Sequence, residues 1–251
     1  MVDKKTPENI SAIRRAGKIL TDVFDCLEEA IRPGITTAKL DALADESITA
    51  AGAAPSFKGY RGFPSSICAS PNDVIVHGIP GSNALQEGDI VSIDVGVFHE
   101  GWHADSAWTF PVGEIDSAAA DLLKVTAASL DAAIDQCRPG NRLGDVGSAV
   151  ETMAEAAGFS VVREYAGHGI GRRLHEDLWV PNYGPPGRRE LLVPGMTMAI
   201  EPMVNLGGPE TTMLDDGWTV VTADGSLSAH FEHTVAITPE GCEILTRRTP
   251  K

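Results

Sequence analysis

The strongest constraint on this chain is that much of it is written twice. Pro33-Gly34 and Pro139-Gly140 stand 106 residues apart, and so do Gly52 and Gly158. Two equal intervals between turn-forming residues point to an internal duplication. In the first copy Ile10, Ile13, Leu20, Phe24, Leu27 and Ile31 recur at helical spacing, and the run stops at Arg32-Pro33-Gly34. Thr36 or Thr37 then offers an N-cap for a second helix that ends at Gly52. In the second copy an alanine- and leucine-rich helix from about Ser117 ends at Arg138-Pro139-Gly140, and a further helix reaches Gly158.

The correspondence continues downstream. Leu85-Gln86-Glu87-Gly88 leads into Ile93-Asp94-Val95, as Leu192-Val193-Pro194-Gly195 leads into Ile200-Glu201-Pro202. Each is a glycine turn feeding a β-rich run with one acid inside it. His103-Ala104-Asp105 is echoed by His230-Phe231-Glu232, and His77-Gly78-Ile79 by His168-Gly169-Ile170. The pattern predicts an α/β (α+β) chain of two halves, about 8–112 and 113–246, related by a pseudo-two-fold axis with the acids facing each other at the join. No linker or low-complexity stretch separates the halves, so residues 1–251 read as one domain.

Composition narrows the function classes. A net charge of −15 argues against a surface built for phosphate backbones, so no nucleic-acid binding is expected. There is no apolar run long enough to span a membrane, and Met1 to Ile10 lack the apolar core of a secretory signal. Cys26, Cys68, Cys137 and Cys242 are scattered without a Cys-x-x-Cys pair, which favours packed, reduced thiols over a zinc ribbon or disulfide framework. A cytoplasmic location is expected.

The acids carry the chemistry. Asp94 lies inside Asp89–Val97, otherwise a buried strand, and Asp105 follows eleven residues later across a turn near His99-Glu100-Gly101. With a two-residue loop, an odd separation puts both side chains on one sheet face, opposite or diagonal. Buried facing carboxylates repel and are costly unless compensated. For one hairpin alone, protonation, an arginine partner or exposure would serve as well as a cation. The second half favours the cation, because Glu201 stands in apolar Met198–Met203 and Glu232 precedes the apolar run Thr234–Ile237. The proline after Glu201 favours an extended edge or bulge position.

Four acids on related strands, with a histidine in a glycine-rich segment, make a ligand set for two cations. Such oxygen-rich ligation with one imidazole suits Mn, Fe or Co at least as well as Zn. His168 is the imidazole candidate, because Gly167-His168-Gly169-Ile170-Gly171 lets backbone crowd close to a site. The same glycines lack the Gly-Lys-Ser/Thr ending of a phosphate loop. His77 and His175 suit substrate contact, whereas His99, His103, His230 and His233 are expected at the surface or in packing. No serine or cysteine nucleophile is apparent.

In these segments, together with Ala166-Gly167-His168 and Phe231-Glu232-His233-Thr234, the chain resembles the methionine aminopeptidases of the short bacterial kind (type I), which have the pita-bread fold. The resemblance runs from the first helix to Thr246. It implies a central, mostly antiparallel sheet covered by helices, and metal ligands at Asp94, Asp105, His168, Glu201 and Glu232. Asp94 would hold one ion, His168 and Glu201 the other, with Asp105 and Glu232 bridging. His77 would hydrogen-bond the peptide beyond the scissile bond, His175 would polarise the carbonyl, and Glu201 would also shuttle a proton.

The resemblance further implies a methionine pocket of Tyr60, Phe63, Cys68 and Trp218. Phe63 stands where many relatives have Tyr, and Leu174 where Phe is common. The implied reaction is removal of the N-terminal methionine from peptides and nascent proteins, by attack of a hydroxide bridging two divalent ions (Co, Mn, Fe or Zn), with preference for a small second residue. The chain's own start, Met1-Val2, fits such a rule. The partners implied are N-terminal peptides, with a transient ribosome contact and no membrane. A proline-directed peptidase of the same fold, and a non-catalytic pita-bread binding module, are the competing readings.

Overall fold

A computed structural model describes residues 3–248, so the Met1-Val2 start lies outside the described residues. Helix α1 (Pro7–Ala30) begins at a reciprocal cap: the Thr6 hydroxyl accepts from the Asn9 amide and the Asn9 side chain accepts from the Thr6 amide. Pro7 occupies the first turn, where its missing N–H costs nothing. Of the predicted stripe, Ile10, Ile13, Leu20, Phe24 and Leu27 are buried, while Ile31 caps the helix end and is half-buried. The helix stops before Pro33-Gly34, where Gly34 takes φ 89°. Helix α2 (Thr37–Ala50) is capped by Thr36, whose hydroxyl accepts from the Lys39 amide. In the second half α3 (Ser117–Asp135) is capped by Asp116, and α4 (Leu143–Ala156) by Asp145, whose carboxylate accepts from the Arg142 amide.

The duplication is visible in the connections. Thr36 bridges Ala84 as Arg142 bridges Leu191. The Gly34 amide donates to the Leu85 carbonyl, and the Gly140 amide to that of Leu192. Gly88 and Gly195, at matching turns, have φ 91° and 93°.

Every strand pairing is antiparallel, but the expected central sheet is split into four ladders. In the first, β4 (Ile90–His99) pairs with β5 (Trp102–Pro111) along one edge. Its other edge takes β1 (Ala54–Pro55) and β2 (Ile67–Pro71) in succession. Glu100 (φ 50°) and Gly101 (φ 84°) close the β4–β5 hairpin as a two-residue loop with both φ positive. A second ladder joins β3 (Val74–Val76) to β12 (Val220–Thr222) and β11 (Thr211–Met213). A third joins β6 (Ser160–Val161) to β10 (Met203–Asn205) and β13 (Ser228–His230). The fourth has the order β15-β14-β9-β7-β8, from β15 (Gly241–Ile244), β14 (His233–Thr238), β9 (Thr197–Ile200), β7 (Gly167–Gly169) and β8 (Glu176–Val180).

Each half buries its own core: α1 and α2 against β4 and β5, and α3 and α4 against the second-half strands, with Trp108 packed against both. The halves are stitched along β5. Thr234 exchanges hydrogen bonds with the Asp105 backbone, its hydroxyl accepting from the amide at 2.9 Å and donating to the carbonyl at 2.7 Å. The Glu232 amide donates to the Ala107 carbonyl, and Ser106 Oγ donates to the Glu232 carbonyl. Thr109 Oγ1 donates to the His230 carbonyl and accepts from its amide. This seam places the acids of the second half beside those of the first.

Candidate metal centre and substrate cavity

Register decides where the first two acids point. Asp94 pairs with Ala107 and Gly96 with Asp105, so the two carboxylates are diagonal neighbours on one face of the hairpin, as the odd spacing requires. Glu201 and Glu232 differ from expectation. Neither is inside a strand: β9 ends at Ile200, Glu201-Pro202 breaks the ladder, and Met203 resumes it in another sheet. Phe231-Glu232 makes the same break between β13 and β14. The ring of Pro202 has no N–H to donate, which suits a residue at a ladder break.

His168 sits in β7, whose glycines are dictated by close packing. A Cβ at Gly167 would overlap the Ala199 carbonyl of β9, and one at Gly169 would lie 3.0 Å from Leu178 Cβ of β8. His168 Nδ1 lies 3.0 Å from the Gly169 carbonyl, which can only accept, so Nδ1 carries the proton. Nε2 is left as the lone-pair donor, 3.6 Å from Glu201 Oε1 and 3.8 Å from Asp105 Oδ2. Ligand atoms of Asp105, His168 and Glu232 all lie within 4.8 Å of one another. His77, the sequence counterpart of His168, is not its structural counterpart: it follows β3 with φ 59°.

The electrostatics of this cluster are those of a site made for cations. Burial raises Asp94 to about 7. Asp105, Glu201 and Glu232 are raised well above the ordinary carboxylate range, by burial first and then by the charge of Asp94 and, for Asp105 and Glu232, of the other acids as well. Among the described residues, no lysine or arginine is paired with any of the four. Asp94 Oδ1, Asp105 Oδ1 and Glu232 Oε1 are buried with no hydrogen-bond partner. Burial also depresses His168 to about 4 and His175 to about 3, keeping both imidazoles neutral and able to ligate or accept. Orphaned acceptors facing a neutral imidazole fit divalent metal ions.

One cavity of about 380 Å³ is lined by every site residue expected from sequence: the five ligand candidates, His77, His175, Tyr60, Phe63, Cys68 and Trp218. Its apolar end is formed by Phe57, Phe63, Cys68 and Leu174, with Tyr60 and Trp218 packed against them and Ile170 behind. Phe63 meets Trp218 edge-on at 5.1 Å, and His77 stands edge-on to Tyr165 at 5.7 Å. His175 lies over His168 at 4.1 Å between ring centres, and its Nδ1 is 2.9 Å from Tyr60 Oη. The cavity thus has a greasy, aromatic end beside a carboxylate-rich one.

His230 was expected at the surface or in packing, and the structure corrects this. It lines the cavity with Nε2 3.8 Å from Glu201 Oε2, and that nitrogen is buried without a hydrogen-bond partner. Phe57, Val76, Tyr165 and Met203 are further lining residues that sequence reasoning missed. His103 and His233 do pack, at 2.9 Å from Ser56 Oγ and 3.0 Å from Thr246 Oγ1.

Comparison with known proteins agrees with this geometry. Residues 11–239 match metallopeptidase family M24. A methionine aminopeptidase of Clostridium perfringens is 54% identical over 246 residues, covering 98% of this chain and 99% of that one. The crystal structure of methionine aminopeptidase from Thermotoga maritima superposes with a TM-score of 0.97 at 44% identity, covering 99% of this chain and 100% of that one. The prolidase of Pyrococcus horikoshii superposes with a TM-score of 0.81, but at 20% identity and over 64% of its length, a likeness of fold alone.

Proposed function

From the premise that this chain belongs to metallopeptidase family M24, we propose how its cavity removes the N-terminal methionine of peptides and newly made proteins. The observation that carries the reading is the adjacency of four carboxylates without a lysine or arginine partner, three of them with an orphaned buried oxygen, and a neutral imidazole to an aromatic, thiol-lined pocket within one cavity.

Asp94, Asp105, His168, Glu201 and Glu232 would hold two divalent ions, of which Co, Mn, Fe and Zn are the candidates. Asp105 and Glu232 would be the two carboxylates that serve both ions. The charge count supports two ions, since four carboxylates need four positive charges once ionised. When bound, such ions polarise a carbonyl and bring the pKa of coordinated water towards neutrality.

The chain's own residues do the rest. Phe63, Cys68, Trp218 and Tyr60 receive the methionine side chain, an unbranched thioether that packs well against aromatic rings. Seating it there carries the α-amino group and first carbonyl to the acidic end. His175, neutral and fixed by Tyr60, presents its remaining ring nitrogen to that carbonyl. His77, kept neutral by burial, hydrogen-bonds the peptide beyond the scissile bond. Glu201 accepts a proton from the attacking water and returns it to the leaving amine. A narrow space beside the acids would restrict the second residue to small side chains.

The same reading makes residues 1–251 one catalytic unit built by duplication, working in the cytoplasm with transient contact at the ribosome. No helix among the described residues is long and apolar enough to cross a membrane. The experiment is hydrolysis by enzyme reloaded with each divalent metal. Release of methionine from Met-Ala-Ser, little from Met-Leu-Ser and none of the first residue from Ala-Pro-Ala is expected. Cleavage of Ala-Pro-Ala alone would make this a proline-directed peptidase, and failure to bind ions or cut any peptide would make it a binding module.

A further inference from the structure

Of the large apolar side chains left exposed among the described residues, Trp179 alone lines the cavity, and it is 49% exposed. Its neighbours on β8, Leu178 and Val180, are buried, so the alternation of the strand turns the indole outward. β8 is the edge of its ladder and pairs only with β7.

Register fixes where the indole stands. Trp179 is paired directly with His168 across the β7–β8 ladder. Directly opposed residues of an antiparallel pair project from the same face, with Cα atoms about 4.5–5.5 Å apart. The indole is therefore beside the imidazole of the metal-ligand candidate and, since the His168 side chain is only 12% exposed, on its solvent side. Tyr60, Phe63 and Tyr165, also in the cavity, each meet a ring of the protein: His175, Trp218 and His77 in turn. Among the described residues Trp179 meets no ring or cation of the protein, and it is not part of the apolar cluster that closes the methionine end. An indole without a partner at the mouth of a substrate cavity is a surface offered to substrate.

We propose that Trp179 is the platform for the third residue of the substrate, and that it selects peptides whose third side chain carries a flat group, aromatic or guanidinium. The inference rests on the reading of the cavity as a site for an N-terminal methionine. The methionine side chain fills the apolar end and the second residue is small, so the third is the first that can carry a large side chain. An extended peptide advances about 3.3–3.6 Å per residue. With the first carbonyl near His168 and His175, the third residue comes within reach of a side chain one strand spacing from His168. Rings pack on indole offset or edge-on, and guanidinium groups are drawn to its face, each strengthening binding by roughly 3–10-fold.

The test measures kcat and KM of the metal-loaded, full-length enzyme on Met-Ala-Xaa-Gly, where Xaa is Phe, Arg or Gly. Wild type, Trp179→Ala and Trp179→Phe are compared, each through its own Phe/Gly and Arg/Gly ratios of kcat/KM. Such ratios cancel differences in folded fraction and metal content between variants. Values of roughly 3–10 are expected for the wild type, about 1 for Trp179→Ala and between these for Trp179→Phe. The preference should lie in KM, with kcat alike for the three peptides, because the third residue does not touch the reacting atoms. Wild-type ratios near 1, or ratios that survive in Trp179→Ala, overturn the platform while leaving methionine removal intact. Failure of the wild type to release methionine from any of the three peptides would sink the reading of the cavity, and the platform with it.

Discussion

Replacing Lys5 by Met should destabilise the loop that presents His175, although Lys5 does not line the cavity. The Lys5 side chain is 1% exposed, and its ammonium lies 2.5 Å from Glu176 Oε2, with Asp3 Oδ2 at 2.8 Å. Glu176 is 11% exposed, and its other oxygen accepts from the Arg172 amide at 3.1 Å. The pair spans the turn from His168 to His175, and Gly171 must lack a side chain because a Cβ there would overlap both Glu176 and Lys5. The Lys5 amide also donates to the Gly195 carbonyl at 2.7 Å, so the N-terminal segment is pinned at two points. Removing one member of a buried ion pair costs about 3–5 kcal/mol when the survivor is stranded. Here the survivor keeps one amide and a sliver of solvent, so about 2–3 kcal/mol is expected, a fall of about 5–10 °C in Tm for a chain of this size. The assay is a double-mutant cycle with Glu176→Gln, read by thermal and urea denaturation, with kcat measured on each variant after its metal content is matched. A coupling of at least about 1 kcal/mol is expected, with lower kcat for Lys5→Met at full metal occupancy. Additivity within about 0.5 kcal/mol would refute the latch.

Asp105→Asn removes a central anion without changing shape, and metal affinity should fall by more than the roughly 10–100-fold that loss of an outer partner costs, as calorimetry would show. Tyr60→Phe deletes the 2.9 Å contact to His175 Nδ1, and kcat should drop about 3–10-fold with ion binding unchanged. A loss of metal in that variant would contradict the role given to Tyr60. His77 predicts a pH dependence of stability. Burial lowers its folded-state pKa below the unfolded value, so the unfolded chain binds a proton the native protein does not, and stability is lost as pH falls below about 6.5. His77→Asn suits the φ of 59° and should remove up to ~1.4 kcal/mol per pH unit from that acid-side slope in urea titrations. An unchanged slope would assign the acid sensitivity elsewhere.

What could be read before any coordinates was what depends on local rules. The helix ends followed from Thr36, Pro33-Gly34 and Pro139-Gly140 because caps and left-handed glycines act within a few residues. The Asp94–Asp105 face followed from parity, which a two-residue hairpin fixes. The Lys5–Glu176 pair had no sequence signal, since nothing local ties residues 171 positions apart.

His230 shows where parity stops being informative. Residues i and i+2 share a strand face, a rule that sends His230 into the cavity with Glu232, but the identical rule sends His103 along with Asp105. His103 instead binds Ser56, while His230 lines the cavity. The difference is that Asp105 lies within a continuous strand, whereas Phe231-Glu232 interrupts the ladder and changes which sheet the chain belongs to. The second-half acids both sit at such breaks, and both are glutamates. The first-half acids sit on regular strands, and both are aspartates. Where the backbone departs from the ladder, the extra methylene gives the carboxylate reach that strand geometry no longer supplies. Duplication therefore delivered two similar halves, but the site depends on the two places where the second copy breaks the pattern of the first.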